Sequence, residues 1–148
     1  MFKKIVVGLD GSETSENALR IACDLGKKYG SAIHLVYTAH PETVAMPVGA
    51  VAGFHAATTM PSAEEVKAAG EKVLAAGVAI AKKYGHKTTK THFEHGKPSD
   101  RIIACAEDCG ADLIVTGRRG LGAIGSLLMG STSQQVSHLA KCACLTVA

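Results

Sequence analysis

The stretch FKKIVVGLDGS, residues 2–12, shows how this chain begins to fold. Its β-branched apolar run predicts a buried strand, and the glycines that follow predict a tight turn at residues 8–11. Ser12 is a suitable N-cap, and apolar residues recur behind it at helical spacing until Gly30. The chain therefore opens with a strand, a turn that carries Asp10, and a helix.

The same alternation continues through the rest of the chain. Further strands are predicted at residues 33–39, 88–94, 113–116 and 144–147. Further helices are predicted at residues 62–85, 98–110 and 131–139, the first of them opened by a capping box from Ser62 to Glu65. Such alternation implies right-handed crossovers and a mostly parallel sheet covered on both faces. We therefore predict an open five-stranded α/β sheet in a single domain, residues 1–148.

The composition is that of an ordinary globular domain and argues against several functional classes. Hydrophobic residues make up 47% of the chain and charged residues 20%, which suits a packed core. The 16 basic and 13 acidic residues are scattered, so we expect no nucleic-acid partner. No charged leader precedes the first strand, which favours a cytoplasmic location. The apolar residues 44–61 are broken by Pro47, so we expect a loop there and no membrane segment.

Two further features of the sequence are candidates for special roles. Residues 40–61 form a connection of 22 residues, which is long for a compact domain and predicts a lid over a site. The five cysteines lack C-x-x-C spacing, so we expect reduced thiols. His86, His92 and His95 flank the third predicted strand, but no acidic or thiol partner stands at ligand spacing, and we expect no metal there.

The glycine-rich segment at residues 117–131, GRRGLGAIGSLLMGS, directly follows the fourth predicted strand. It places five glycines in fourteen residues and ends at the hydroxyl-rich helix start Ser131-Thr132-Ser133. Glycines allow the backbone to approach a ligand closely, and a helix N-terminus attracts anions. In parallel α/β sheets ligands bind beyond the carboxyl ends of the strands, which here means at Asp10 and Gly117. We therefore predict a phosphate site in preference to a mobile linker, with hydroxyls that both cap the helix and contact phosphate.

Three motifs compete for this segment. The spacing Gly120-x-Gly122-x-x-Gly125 matches the dinucleotide fingerprint, but it follows the wrong strand and lacks the downstream acidic residue. The spacing Gly125-x4-Gly130-Ser131 resembles a Walker A loop without its lysine. The third pattern, Gly117-x-x-Gly120-x9-Gly130-Ser131, is complete, and it resembles the ATP-binding motif of universal stress proteins. Residues 3–12, 96–98 and 111–117 extend this resemblance along the whole chain.

The resemblance implies a Rossmann-like fold of the adenine nucleotide alpha hydrolase type, with strand order 3-2-1-4-5. It implies that Asp10 lies near the ribose and phosphates, often with a metal ion such as Mg²⁺, and that Leu9 packs beside the sugar or base through its backbone. Thr38, or Val36 if the register shifts, takes the place that contacts adenine; for Val36 the alternative is core packing. The positions that match phosphate contacts are Gly117, Gly120, Gly130, Ser131, Thr132 and Ser133.

Two implied features leave alternatives open. Arg118 and Arg119 are either a solvated charge pair, which we favour, or a source of one cation for the triphosphate. The family dimerises through its last strand, so the resemblance implies a homodimer that pairs Cys144, Leu145, Thr146 and Val147 across a two-fold axis.

The sequence supports three functions of different kinds. The first is an ATP-binding regulatory protein of the stress response, with AMP, ADP or cyclic AMP as alternative ligands. The second is a slow ATPase or autophosphorylating enzyme, although no catalytic constellation can be recognised and we name no catalytic residue. The third is an interaction module that binds no nucleotide, against which the complete glycine motif argues.

Overall fold

The computed structural model describes residues 1–39, 61–86, 89–120 and 129–148, and within these ranges strands and helices alternate along the chain. The strands are β1 Lys4–Leu9, β2 Ala32–Ala39, β3 Thr89–His95, β4 Leu113–Gly117 and β5 Ala143–Val147. The helices are α1 Glu13–Tyr29, α2 Ala63–Lys83, α3 Pro98–Cys109 and α4 Ser131–Leu139. These elements match the predicted ones to within two residues at nearly every boundary. The predicted lid, residues 40–61, lies outside the described residues apart from Pro61 and stays a prediction.

All five strands form one parallel sheet in the order β3-β2-β1-β4-β5, which confirms the predicted order. The chain adds strands to one side of β1 as far as β3 and then crosses to the other side with β4. The strand order therefore reverses between β1 and β4, and the carboxyl ends of these two strands border the switch point.

Helices cover both faces of the sheet because the central strands are apolar on both faces. Ile5, Val7 and Leu9 of β1 pack against α1 and α2, whereas Val6 packs with α3 and α4 on the other face. Successive side chains of a strand point to opposite faces, so an unbroken apolar run is what a strand buried on both sides requires. Among the described residues, no helix has the length and apolar character needed to cross a membrane.

The capping box predicted for α2 is present in full. The backbone N–H of Glu65 donates to Ser62 Oγ at 3.2 Å, and the backbone N–H of Ser62 donates to Glu65 Oε2 at 2.7 Å. The hydrogen bond from the Ser62 backbone lowers the pKa of the Glu65 carboxyl below its usual 4.5. A lowered folded-state pKa adds stability above pH 4.5, and this stability is lost as the pH falls through the folded-state value.

We expect Ser62→Ala to lower the free energy of unfolding by about 1 kcal/mol at neutral pH, because the first turn of α2 loses its cap. Ser137→Ala is the matched control: it removes the same hydroxyl from an exposed helical serine that, among the described residues, bonds to the Ser133 carbonyl alone. The control should change stability by less than about 0.5 kcal/mol. Urea denaturation of the three proteins measures both values, and equal losses would contradict the capping role.

Candidate functional site

The turn after β1 holds Asp10 in a fixed position at the switch point. Asp10 Oδ1 accepts hydrogen bonds from the backbone N–H and the hydroxyl of Ser12, at 2.9 and 2.6 Å. Ser12 Oγ in turn caps α1 by accepting from the N–H of Ser15. Gly11 adopts a φ of 85°, a conformation that side chains disfavour, which explains the glycine in this turn. The carboxylate is therefore oriented by the same serine that starts the helix.

The second carboxylate oxygen of Asp10 faces the glycine-rich segment. A Cβ atom built on Gly120 would overlap Asp10 Oδ2, so the two are in direct contact. The two turns that we predicted to form a site, one after β1 and one after β4, thus meet in the structure. Gly120 has no side chain, and its backbone is exposed at this contact.

The end of β4 is joined to the start of α1 by backbone contacts. The hydroxyl of Thr14 donates to the carbonyl of Arg119. A Cβ on Gly117 would lie 2.9 Å from the carbonyl carbon of Thr14 and 3.0 Å from the backbone nitrogen of Ser15. Both of these neighbours are backbone atoms and cannot swing aside, so only glycine fits at position 117. Sequence reasoning missed Thr14, because nothing local to residues 12–15 indicates a contact across the sheet.

The two ends of the glycine-rich segment are held together. The backbone N–H of Gly130 donates to the carbonyl of Arg118 at 2.8 Å. The hydroxyl of Ser133 donates to the carbonyls of Arg118 and Gly130, at 3.1 and 3.0 Å. The described ends therefore close a loop. Residues 121–128, including Gly122 and Gly125 of the two rejected motifs, lie outside the described residues.

Helix α4 begins at this closed loop with an N-terminus that no side chain of its N-cap covers. We expected a hydroxyl to cap the helix, but the N-cap is Gly130, and Ser131, Thr132 and Ser133 already lie in the first turn. The capping prediction was wrong because the N-cap is Gly130, one residue before the first hydroxyl, so all three hydroxyl residues already lie inside the helix. Ser133 is buried and turned inward, whereas Ser131 is exposed and Thr132 is half-buried. The helix dipole and its first amides form the kind of site that attracts anions.

The predicted base-contacting residues lie in or near the core. The Leu9 side chain is buried against α2, so only its backbone is available to a ligand, as the resemblance implied. Val36 is buried in the core on the α3 side, which favours the core-packing alternative for its side chain. Thr38 lies nearer the carboxyl end of β2, is 4% exposed, and its Oγ1 has no hydrogen-bond partner among the described residues. Of Thr38 and Val36, Thr38 therefore lies closer to the end of the sheet where the base is predicted.

The two arginines at the start of the segment differ. Arg118 is exposed, as expected of a solvated charge. Arg119 is half-buried, and its Nε is buried without a hydrogen-bond partner among the described residues. Arg119 is thus less exposed than Arg118, and its carbonyl accepts a hydrogen bond from Thr14; whether it is a solvated charge or a cation for the triphosphate stays a prediction.

Asp10 is the one residue of this site for which we predicted a metal. No cluster of three or more His, Cys, Asp or Glu side chains able to hold a metal exists in the described part of the chain. Magnesium is commonly held by one or two carboxylates together with phosphate oxygens and water. The Asp10 carboxylate fits that role only if a bound phosphate supplies further ligands.

The histidines and cysteines of the sequence prediction have other partners. A ring nitrogen of His86 lies 2.9 Å from the carbonyl of Cys23, and His92 pairs with His34. All five cysteines are free, and burial raises the pKa of the Cys23 thiol to about 11.

The last strand lies beside the site and at an edge of the sheet. Within the described residues β5 pairs only with β4, so one side of Cys144, Leu145, Thr146 and Val147 is open. The backbone N–H of Arg118 donates to the carbonyl of Val147 at 2.5 Å. The glycine-rich segment and the edge strand are therefore directly bonded.

The fold and this site define an open parallel α/β domain whose glycine-rich turn and helix N-terminus lie at the switch point of the sheet. The model of the universal stress protein family matches residues 1–148, and the chain belongs to that family.

Relatives and solved structures are similar over nearly the whole chain. A Thermus aquaticus protein described as "universal stress protein in QAH/OAS sulfhydrylase 3'region" is 33% identical over 147 residues, which cover 99% of each chain. A universal stress protein solved in complex with cAMP has a TM-score of 0.73 and 25% identity, covering 99% of this chain and 97% of its own. The universal stress protein of Archaeoglobus fulgidus, solved with dAMP, has a TM-score of 0.67 and 21% identity, covering 99% and 98%.

Proposed function

We propose that this chain binds an adenine nucleotide, ATP with Mg²⁺, at the carboxyl ends of β1 and β4, and that it acts as a regulatory homodimer in the stress response. The observation that carries the proposal is the contact between the Asp10 carboxylate and Gly120, beside a helix N-terminus whose N-cap is glycine. A carboxylate and an anion-attracting helix end at one place suit a phosphate chain bridged to the protein by a divalent cation.

The geometry supports a polyphosphate ligand. Gly117 and Gly120 bring the backbone close to the turn after β1 and contribute no side chain of their own there. Amides at the start of α4 and the Arg119 guanidinium supply positive charge, and Asp10 supplies a ligand for Mg²⁺. When bound, Mg²⁺ would neutralise part of the phosphate charge beside the carboxylate.

The relative solved with cAMP supports the choice of an adenine nucleotide. cAMP and ATP share adenosine and phosphate, and Thr38 at the end of β2 is the residue we propose beside the base. The preference for ATP rests on the resemblance of the spacing Gly117-x-x-Gly120-x9-Gly130-Ser131 to the ATP-binding motif of universal stress proteins.

We propose a binding role in preference to an enzymatic one. In-line attack on a phosphate needs a positioned base or water-orienting group. Asp10 Oδ1 accepts two hydrogen bonds from Ser12, which hold the carboxylate in a fixed orientation, as a ligand for a cation requires.

The homodimer is proposed through the open side of β5. An apolar edge strand that stays unpaired is prone to associate, and a two-fold axis would pair Cys144–Val147 with a second copy. Analytical ultracentrifugation at micromolar concentration tests this, and a monomer with and without ATP would contradict it. The cytoplasmic location expected from the sequence belongs to the same proposal and is tested by cell fractionation.

We expect Asp10→Asn to weaken the binding of ATP-Mg²⁺ at least about tenfold, because the variant keeps the shape of the side chain but removes the charge that the cation needs. Asp112→Asn is the matched control. Asp112 likewise accepts two hydrogen bonds, here both from backbone N–H groups, those of Lys3 and Lys4, at the opposite end of the sheet. Isothermal titration calorimetry of the dialysed proteins measures both affinities.

The outcomes separate the three functions. Saturable binding without phosphate release, weakened only by Asp10→Asn, supports the regulatory role. Turnover that Asp10→Asn abolishes would favour the enzyme, and absence of binding in the parent protein would favour the interaction module. Equal losses in both variants would contradict a role for Asp10.

A further inference from the structure

A polar cavity of about 450 Å³ lies on the face of the sheet that carries α3. It forms because α3 packs mainly over β1 and β2, so the edge strand β3 is only partly covered. The β3 side chains on this face are Lys90, His92 and Glu94, in place of the apolar residues found on the central strands. The volume falls within the range of small-molecule sites.

This cavity is separate from the site at Asp10. One end of the cavity is at Lys4, the first residue of β1, whereas Asp10 follows the last residue of the same strand; the other end is at Glu94, whose partner on β2 is Thr38. A strand of this length spans about 20 Å. The cavity also lies on the β2–β3 half of the sheet, away from β4 and the glycine-rich segment.

The floor of the cavity is a pair of histidines. His34 is only 4% exposed, and its Nδ1 lies 3.2 Å from Nε2 of His92. The rings are nearly coplanar, at 11°, with centroids 5.4 Å apart, so they meet edge to edge through the facing nitrogens. One neutral ring donates this hydrogen bond and the other accepts it. One added proton makes one of the rings an imidazolium, and a second added proton would place two positive charges side by side.

Basic groups outnumber acidic ones around this pair. Lys4, Lys90 and Arg101 line the cavity, against the carboxylates of Glu94 and Asp108. No ion pair within 4.0 Å joins any of these five side chains among the residues that the structure describes. The ammonium group of Lys4 donates to the carbonyl of Cys109 at 2.6 Å. Lys90 and Arg101 are therefore exposed cations without a described carboxylate partner.

The remaining titratable groups of the cavity are thiols. Burial raises the pKa of the Cys105 thiol to about 12 and also raises the pKa of the Cys109 thiol. Both are neutral near pH 7 and leave the balance of charge unchanged. Neither supplies a cluster that could hold a metal in the described part of the chain.

We propose that this cavity binds a small phosphorylated compound, whose phosphate group lies between Lys90 and Arg101 and over the imidazole pair of His92 and His34. A guanidinium and an ammonium group form charge-assisted hydrogen bonds to phosphate oxygens. A protonated imidazole adds a further donor, so binding takes up a proton. The proposal does not rest on the nucleotide proposed at Asp10.

The protonation of the pair gives the binding a defined pH dependence. Burial, followed by the charges of His92, Lys90 and Lys4, lowers the pKa of His34 below its usual 6.5. A bound anion opposes those positive charges and raises this pKa. Affinity for an anion of constant charge therefore increases as the pH falls through the raised pKa of the bound state, by up to about tenfold per pH unit for one proton taken up, and levels off below the pKa of the free protein.

The test follows the imidazole signals of His34 and His92 by NMR while anions are added at constant ionic strength. The variants His34→Gln and His92→Gln assign the two signals. Sulfate is the probe for the pH dependence because its charge does not change between pH 5.5 and 7.5. The phosphate group in the cavity can come from free inorganic phosphate or from an organic phosphate. Inorganic phosphate and glycerol 3-phosphate, compared at pH 7, distinguish the two: tighter binding of glycerol 3-phosphate indicates an organic phosphate, and equal binding indicates free phosphate.

Two double variants with the same change of net charge provide the control. Lys90→Gln/Arg101→Gln should weaken sulfate binding at least about tenfold. Lys82→Gln/Lys83→Gln, at the exposed end of α2, should leave it unchanged. The proposal is overturned by non-saturating histidine signals in the parent protein, by equal affinities in the two double variants, or by sulfate binding that tightens as the pH rises.

Discussion

Valine in place of Gly120 is expected to reduce the affinity of the protein for ATP roughly hundredfold, equivalent to about 2.7 kcal/mol. The contact with Asp10 is the reason: a Cβ at position 120 would overlap Oδ2, so the carboxylate or the loop must move. Either movement separates the two turns that form the proposed site. Position 120 is exposed and outside the core, so we expect the variant to stay folded. Calorimetric titration with ATP-Mg²⁺ and a thermal melt measure the two effects separately.

A double-mutant cycle tests the contact itself. Asp10→Ala removes the oxygen atom that the new methyl group would meet, so adding Gly120→Ala to Asp10→Ala should cost no further stability. Gly120→Ala alone should be destabilising. Additive effects in the cycle would show that the two residues do not touch in solution, and this result would not depend on whether a nucleotide binds.

The largest effect on stability is expected from Gly70→Val, in the middle of α2. A Cβ at this position would lie 2.6 Å from Cε1 of Tyr37 and would also overlap the ring of Phe93. Tyr37 is 2% exposed, and its ring packs against Phe93 with centroids 5.7 Å apart, so neither ring has free space to enter. We expect a loss of about 3 kcal/mol, which lowers the melting temperature by about 9 °C for a domain of this size.

Ala68→Val is the matched control on the same helix. Position 68 is exposed, so the new valine meets no ring and the expected loss is about 0.6 kcal/mol, from helix propensity alone. Differential scanning calorimetry compares the two variants. Equal melting temperatures would mean that α2 does not pack on β2 and β3 as the structure has it.

The fold could be predicted from the sequence because its signals are local. The apolar run at residues 5–7, the cap at Ser12 and the capping box at Ser62 each act within a few residues, and each is present in the structure. No local signal determines the order of the strands, and that order was predicted through the family resemblance. The periodicity of the strands alone does not say which strands become neighbours.

The site was predictable in position but not in detail. That the turns at Asp10 and Gly117 meet follows from a parallel sheet, since the carboxyl ends of its strands share one edge. The hydrogen bond from Thr14 to Arg119 and the inward direction of Ser133 depend on contacts across the sheet. So does the pairing of His34 with His92, which are 58 residues apart in the chain. No pattern within a single element carries that information.

The hydrogen bond from the Arg118 amide to the Val147 carbonyl joins the first peptide after β4 to the end of the edge strand. A molecule that displaces this peptide must either pull the last residues of the chain along with it or break the bond. If a nucleotide binds at the glycine-rich segment as proposed, this bond connects the binding site directly to the border of the sheet that we propose for pairing with a second copy.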